Sequence, residues 1–138
     1  MGKETEGKEE TPGQKDPEKG RIRTDWQAKG PSWDRWADVV GETADRLNDP
    51  LVDAAGVARG ETVLDLASGT GEPALNVARR VGADGLVVAT DLAEEMLAGA
   101  RRRAAAAGLA HLGFAVADME ALPFPGRRFD RVTCRFGI

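Results

Sequence analysis

The chain has 138 residues, about the length of one domain, and its hydrophobic content of 41% is enough for a modest core. Lys and Arg total 19 against 23 Asp and Glu, a formal net charge of −4, so the composition carries no basic signal for nucleic acid or an anionic membrane surface. The single cysteine, Cys134, excludes an internal disulfide, and the first residues are charged rather than apolar. No apolar run reaches the length of a membrane span. We therefore expect a cytoplasmic protein with no membrane insertion.

Residues 1–30 are rich in Lys, Glu, Gly and Pro and have almost no apolar side chains, with Trp26 as the one candidate anchor. Burial in this stretch cannot offset the entropy that is lost when a chain becomes ordered. We therefore expect a disordered charged tail over residues 1–30, followed by a folded domain over residues 31–138.

Two helices are predicted after the tail. Ser32 is a candidate N-cap, and one face at helical spacing is formed by Trp36, Val40, Thr43 and Leu47. Proline suits the first turn of a helix and glycine its end. A second, shorter helix is therefore expected to begin at Pro50 and to stop at Gly56.

Short apolar strands alternate with helices in the rest of the chain. Strands are predicted over 62–67, 86–89, 112–117 and 130–136, and helices along apolar stripes from Ala74 to Val81 and from Ala93 to Ala107. This alternation favours right-handed crossovers and hence an α/β fold with a parallel sheet. The three arginines 101–103 are expected on a solvated helix face, and the single His111 is expected to be structural.

The stretch LDLASGTGEP, residues 64–73, runs the first strand into a glycine-rich turn. In an open parallel sheet, ligands bind beyond the carboxyl ends of the strands, and the turn after the first strand carries the glycines. Gly69 and Gly71 lack a β-carbon, so each can adopt a positive φ and let the main chain approach a ligand closely. A nucleotide-like ligand is therefore predicted.

Two classes of ligand are compatible with this turn. Residues 69–74 match the dinucleotide pattern G-x-G-x-x-A, and Asp91 follows Gly71 by 91 − 71 = 20 positions, the spacing of a ribose-binding acid, so an NAD(P)-binding half of an oxidoreductase is one hypothesis. A pyrophosphate, however, needs free N–H groups and positive charge at the helix start. Glu72 brings a negative charge there and Pro73 removes a donor. These two residues favour a nucleoside that carries positive charge, such as S-adenosylmethionine (SAM).

Four segments together resemble the class I SAM-dependent methyltransferases, in the broad group that includes the quinone-biosynthesis C-methyltransferases: VLDLASGTGEPAL, VVATDLAEEML, ADMEALPFPGRRFDRVTCRFGI and WDRWADVV. The resemblance runs from about residue 33 to residue 138. It implies a Rossmann-like parallel sheet with strand order 3-2-1-4 and N-terminal helices, SAM as the cofactor and a small-molecule methyl acceptor. The fold of that family has more strands than the four predicted here, so residues 31–138 are expected to be its SAM-binding N-terminal part, truncated after the fourth strand.

The resemblance also implies roles for residues at the end of the first strand. Asp65 would lie near the amino-acid moiety of SAM, often through water or main chain. The main chain around Ala67, Gly69 and Gly71 would lie against the methionine portion of the cofactor. Ala67 stands where many relatives have glycine.

Further roles are implied at the ends of the next two strands. Asp91 would accept hydrogen bonds from both ribose hydroxyls, and Leu92 would pack on the adenine face. Asp118 would accept from the adenine amino group, while the N–H of Met119 would meet a ring nitrogen. The alternatives are local ones: Asp91 as the N-cap of the helix that follows it, and Asp118 as the cap of its own turn.

Cys134 would, by the same resemblance, offer its main-chain carbonyl to the SAM ammonium. Trp33 stands where relatives often carry a tyrosine that closes over the cofactor, and packing on the helix face is its alternative role. No residue is identified as a catalytic base, and no metal is expected. The fourth strand would expose an apolar edge, so the expected partners are a complementary C-terminal segment or a second copy. A non-catalytic cofactor-binding module is the remaining alternative.

Overall fold

The computed structural model of the chain describes residues 16–137. Its elements in chain order are α1 (Pro17–Ala54), β1 (Thr62–Leu66), α2 (Ala74–Val81), β2 (Leu86–Asp91), α3 (Glu94–Ala106), β3 (Leu112–Val116) and β4 (Arg131–Cys134). All strand pairs are parallel, and the strand order is β3-β2-β1-β4. The predicted α/β fold with a Rossmann-like sheet of order 3-2-1-4 is confirmed.

The hydrophobic core lies between the sheet and α2. The register places Val63 of β1 beside Val87 of β2, and Val87 beside Leu112 of β3, so these side chains share one face of the sheet. From α2, Leu75 and Val77 are buried in the same cluster. Complete burial of one such side chain is worth about 1.5–3 kcal/mol, so this face of the sheet supplies much of the stability.

The helix α3 follows its predicted pattern. It buries the apolar stripe of Met96, Leu97, Ala100 and Ala104. Gly108, with a φ of 68°, lies just beyond its end and takes the left-handed conformation that commonly stops a helix.

The helix α1 is continuous, so the prediction of two separate helices is wrong. Its N-cap is Asp16 rather than Ser32, and the Asp16 carboxylate accepts the N–H of Glu18 at 2.8 Å. Pro31 and Pro50 both lie inside the helix, although each removes an N–H from the hydrogen-bond ladder. The predicted stop is confirmed, since Gly56 follows the last turn with a φ of 66°.

The buried face of α1 also differs from the predicted one. Trp36 and Leu47 are 59% and 55% exposed. The buried positions are mostly small: Gly30, Ala37, Gly41, Ala44, Asn48 and Val52. A β-carbon at Gly30 would lie 2.8 Å from Glu95 Cβ, and one at Gly41 would lie 2.6 Å from Arg103 Nη2. Close approach to α3 therefore selects the buried residues of α1, and this packing stabilises the helix across both prolines.

The expected tail overlaps only partly with the described residues. Residues 1–15 lie outside them, whereas residues 17–30 belong to α1. The expectation of disorder is therefore corrected for residues 17–30, because the Asp16 cap and contacts with the loop after β3 stabilise a segment that has little apolar content of its own.

One edge and one face of the sheet carry exposed apolar groups. β4 pairs only with β1 in the described sheet, and Val132 on β4 is 55% exposed. The register puts Val132 on the same face as Leu86 of β2, which is 45% exposed. Among residues 16–137, no helix has both the length and the apolar character needed to cross a membrane.

Candidate functional site

The carboxyl ends of the four strands open into one crevice with a volume of about 380 Å³. Its walls come from residues 67–70 after β1, 91–92 after β2, 117–120 after β3 and 135–137 after β4. The helix α1 contributes a further wall through Lys19, Ile22, Trp26 and Trp33. An open parallel sheet is expected to bind its ligand at this place.

The turn after β1 is held against the end of β2. Ser68 donates its N–H to the Thr90 carbonyl at 2.8 Å, and Gly69 donates its N–H to Asp91 Oδ2 at 2.9 Å. Ala67 and Gly69 have φ values of 50° and 54°, in the left-handed region that glycine adopts most readily. The main chain of this turn therefore lies directly on the crevice wall.

Two residues of the turn depart from the sequence-based expectation in detail. Gly71, with a φ of 110°, does not line the crevice, and a β-carbon there would lie 3.0 Å from Leu75 Cδ1. Its glycine therefore allows the turn to pack on α2. Ala67 keeps a left-handed φ in spite of its methyl group, which costs an L-residue about 1–2 kcal/mol.

Asp91 lies at the end of β2 on the crevice wall. Its Oδ1 accepts the N–H of Ala93 and its Oδ2 that of Gly69, both at 2.9 Å. Burial raises the pKa of this carboxyl, while the hydrogen bonds oppose the rise. The N-cap residue of α3 is Ala93, so the alternative that Asp91 is the N-cap is wrong. The carboxylate instead ties the glycine turn to β2 while facing the crevice.

Asp65 is completely buried behind the crevice wall. Its Oδ1 accepts the Thr133 hydroxyl at 2.6 Å, and its Oδ2 has no hydrogen-bond partner among residues 16–137. Burial raises the pKa of Asp65 to about 7, against the opposing effect of the hydroxyls of Thr133 and Ser68. Asp65 is therefore a buried acid that does not itself reach the crevice.

Asp118 lies on the wall after β3, and both of its oxygens have partners. Oδ1 accepts the N–H of Glu120 at 2.9 Å, which is the local turn cap considered as an alternative. Oδ2 accepts the Lys19 ammonium at 2.7 Å, and the same ammonium pairs with the Glu120 carboxylate. The hydrogen bond from Lys19 holds the pKa of Asp118 below its usual value. This cluster joins the start of α1 to the far side of the crevice.

Glu72 is buried at the base of the crevice, and its charge is balanced within the protein. Arg103 Nη2 donates to Oε1 at 2.7 Å, and Asn48 Nδ2 donates to Oε2. Arg103 Nη1 also donates to the Thr70 carbonyl at 2.8 Å. Glu72 therefore repels a phosphate less than an unpaired acid would, and the predicted solvated position of Arg103 is wrong. The side chain of Arg103 is only 17% exposed, against 62% for its neighbour Arg102.

The same network continues to a residue after β4. Asn48 is fully buried, and its Oδ1 accepts Arg135 Nη1 at 2.7 Å. Arg135 lines the crevice together with Phe136. The sequence analysis did not identify Arg135, because nothing in its local sequence marks a side chain that bonds to α1. It also missed Lys19 and Ile22, although their spacing with Trp26 is helical.

Seven of the ten predicted binding residues line the crevice: Trp33, Ala67, Gly69, Asp91, Leu92, Asp118 and Met119. The other three, Asp65, Gly71 and Cys134, do not line it. The Cys134 thiol is partly buried, which raises its pKa. Trp33 packs at a tilt against Trp26, with ring centroids 6.4 Å apart.

The single histidine is remote from the crevice, and the acidic side chains of residues 16–137 are not grouped for metal binding. His111 lies away from the crevice, with Nε2 2.7 Å from the Ala78 carbonyl. Within the described part of the chain, there is no group of three or more His, Cys, Asp or Glu side chains that could hold a metal ion.

Comparison with known proteins identifies relatives of this chain. A family profile described as a methyltransferase domain matches residues 63–138. The ubiquinone/menaquinone biosynthesis C-methyltransferase UbiE of Escherichia fergusonii is 43% identical over 88 residues, which are 63% of this chain and 35% of that protein. The chain thus spans about a third of the length of the curated relatives that it matches.

Two crystal structures have the same fold. TrmN from Thermus thermophilus is 38% identical with a TM-score of 0.60, over 64% of this chain and 26% of that one. A SAM dependent methyltransferase from Aquifex aeolicus is 26% identical with a TM-score of 0.58, over 63% of this chain and 46% of that one.

Proposed function

The chain belongs to the methyltransferase domain family, whose profile matches more than half of it, and from that premise we propose that its crevice binds SAM for methyl transfer to a small-molecule acceptor. The proposal rests on one observation: the glycine turn, Asp91 and Asp118 all lie on the wall of one crevice. The matched family is not a family of oxidoreductases, so the NAD(P) alternative has no support from it.

The residues of the crevice fit this cofactor in charge and in size. The walls carry four acids, Glu72, Asp91, Asp118 and Glu120, and two bases, Lys19 and Arg135. With Arg103, which pairs with Glu72, the balance is four acids against three bases. The remaining negative charge favours a ligand with a sulfonium and an ammonium over one with two phosphates. The volume of about 380 Å³ also lies within the usual range for small-molecule sites.

We assign the adenosine portion of SAM to the side of the crevice near β2 and β3. Asp91 would accept from the ribose hydroxyls, and Leu92 would pack on the adenine. Asp118 and the N–H of Met119 would meet the polar edge of the base. All four residues lie on the crevice wall, which supports this assignment.

We assign the methionine portion to the turn after β1. The main chain of Ala67 and Gly69 would lie against it, supported from behind by Gly71 and by the unpaired oxygen of Asp65. The Cys134 carbonyl would accept from the ammonium. Trp33 would close over the cofactor by packing alone, since it lacks the hydroxyl of a tyrosine.

SAM supplies an activated methyl group on a positively charged sulfur when it is bound. The part of this chain is to hold and orient that group and to exclude water, which supplies much of the rate in such a transfer. Trp33 and Val40 form the apolar cover of the crevice on the α1 side. We assign no catalytic base to this chain.

We propose that a complementary polypeptide segment covers β4 and completes the acceptor side. The exposed apolar residues Val132 and Leu86 share one face of the sheet, and Phe136 beside the crevice is 82% exposed. The chain also spans only 35% of the UbiE relative. Self-association through the same edge is the competing arrangement. A cytoplasmic setting is supported by the one free cysteine.

Calorimetry on the purified chain tests the proposed cofactor. We expect S-adenosylhomocysteine and SAM to bind and NAD⁺ not to bind. Binding of NAD⁺ with no response to either adenosyl ligand would overturn the proposal. Transfer of label from methyl-labelled SAM to a metabolite extract then separates an enzyme from a non-catalytic cofactor-binding module, and light scattering at rising concentration detects self-association.

A further inference from the structure

The first three turns of α1 extend beyond the part of the helix that packs on α3. Gly30 is the first buried residue of α1, and residues 17–29 before it are exposed or only partly buried. Pro31 follows directly and removes one N–H from the helix ladder. Glycine and proline at this boundary make it the place where the helix bends most easily. We call residues 17–29 the overhang.

The overhang reaches across the crevice. Ile22 and Trp26 line the crevice from the overhang, yet they are 45% and 40% exposed, so their apolar contact with the body of the protein is limited. A charged contact lies at the start of the overhang, where the Lys19 ammonium donates to Asp118 Oδ2 at 2.7 Å and pairs with Glu120. This ion pair fastens the overhang to the loop after β3.

The position of Lys19 matters because of the two oxygens of Asp118. Oδ1 accepts the N–H of Glu120 at 2.9 Å, and the ammonium lies on Oδ2, so each oxygen already has one donor. The contact is partly shielded from water, since the side chains of Lys19 and Asp118 are 23% and 14% exposed. A neutral amino group that donates to this carboxylate therefore competes with a charged donor.

We propose that Lys19 is an intramolecular competitor for the adenosine end of the crevice, which keeps the overhang latched until the cofactor takes Asp118. This inference rests on the proposed function, because it uses Asp118 as the acid that accepts from adenine. The Glu120 side chain is 70% exposed, so water weakens its pair with Lys19, and that pair alone holds the overhang less firmly. Cofactor binding at Asp118 therefore loosens the overhang.

The test compares Lys19→Met with Arg21→Met as a matched control. Both variants lose one positive charge from the same exposed segment, but Arg21 does not line the crevice. The dissociation constant of S-adenosylhomocysteine is measured by calorimetry. Because a partly exposed ion pair is worth up to about 1 kcal/mol, we expect Lys19→Met to bind about two- to five-fold more tightly than the unaltered chain. Arg21→Met should bind like the unaltered chain. Equal or weaker binding by Lys19→Met would overturn the latch.

Hydrogen exchange of the unaltered chain provides a second measurement that needs no variant. If the ligand opens the latch, amides in residues 20–29 exchange faster when S-adenosylhomocysteine is added, and slower exchange there contradicts the proposal. Failure of the latch and failure of the proposed function give different results. If the folded chain and both variants fail to bind S-adenosylhomocysteine, the proposed function fails and the latch with it. If all three bind equally, only the latch fails.

Discussion

Removal of the Arg103 side chain should destabilise the protein far more than removal of its neighbour Arg102. The Glu72 side chain is 7% exposed, and Arg103→Ala leaves its carboxylate with Asn48 as the remaining donor. The Thr70 carbonyl also loses a donor that lies at 2.8 Å. Removing one partner of a buried ion pair typically costs about 3–5 kcal/mol. We expect the free energy of unfolding to fall by about that amount.

The controls separate loss of the buried pair from loss of charge. Arg102→Ala removes an ion pair with Asp34 in which the arginine is 62% exposed, so the expected cost is about 0–1 kcal/mol. The double variant Arg103→Met/Glu72→Gln removes both buried charges and keeps an acceptor for Asn48. It should recover much of the stability that Arg103→Ala loses, because replacing a buried pair is often nearly neutral.

Urea unfolding followed by far-ultraviolet circular dichroism measures all four proteins. We expect Arg103→Ala to be less stable than Arg102→Ala by several kcal/mol. Equal losses for the two arginines would show that the Glu72 pair does not hold the turn. A double variant that is no more stable than Arg103→Ala would lead to the same conclusion.

Three further variants test the crevice. Asp91→Asn should weaken S-adenosylhomocysteine binding about 10- to 100-fold in calorimetry, because a charge-assisted acceptor is lost. The control Glu95→Gln lies outside the crevice and should leave this binding unchanged. The pKa of Asp65 is about 7 in the folded chain against an ordinary 3.8, so between these values the folded state holds one more proton than the unfolded state. The free energy of unfolding should therefore fall as the pH rises from about 4 to 7. Asp65→Asn should flatten that fall in urea titrations. Ala67→Gly removes a methyl group from a left-handed residue, so its urea midpoint should stay equal or rise by the equivalent of up to about 1 kcal/mol.

The sheet could be predicted from the sequence because its signals are local. A buried strand is a short apolar run, and the turn after it is marked by Gly69 and Gly71. The helix α3 carries its own stripe, from Met96 to Ala104. Each of these patterns lies within one element, so no knowledge of distant contacts was needed to identify it.

The helix α1 could not be delimited in this way, since its extent depends on packing against α3. Its two prolines and its two buried glycines are signals against a helix. The structure overrides them because Gly30 and Gly41 let α3 approach. Hydrophobic periodicity predicted that Trp36 and Leu47 lie on the buried face of α1. Both are exposed, and the residues that are buried are mostly small.

The same cause explains which site residues sequence analysis missed. Residues at strand ends were found because parallel strands bring their carboxyl ends to one edge of the sheet. Lys19 and Asn48 come from α1, and they meet residues 99 and 24 positions away in the sequence. No local motif marks such long-range pairs.

The sequence nevertheless contains a signal that Asn48 has buried partners. It lies on the same helical face as Ala37, Gly41, Ala44 and Val52, and a polar amide on such a face must find partners when it is buried. It bonds to Glu72 below the glycine turn, to Arg135 after β4 and to Asn76 of α2. Because Glu72 and Arg135 line the crevice, α1 is bonded directly to two parts of the site. A shift of α1 relative to the sheet would therefore disturb the crevice itself, which makes this helix part of the site rather than an addition to the fold.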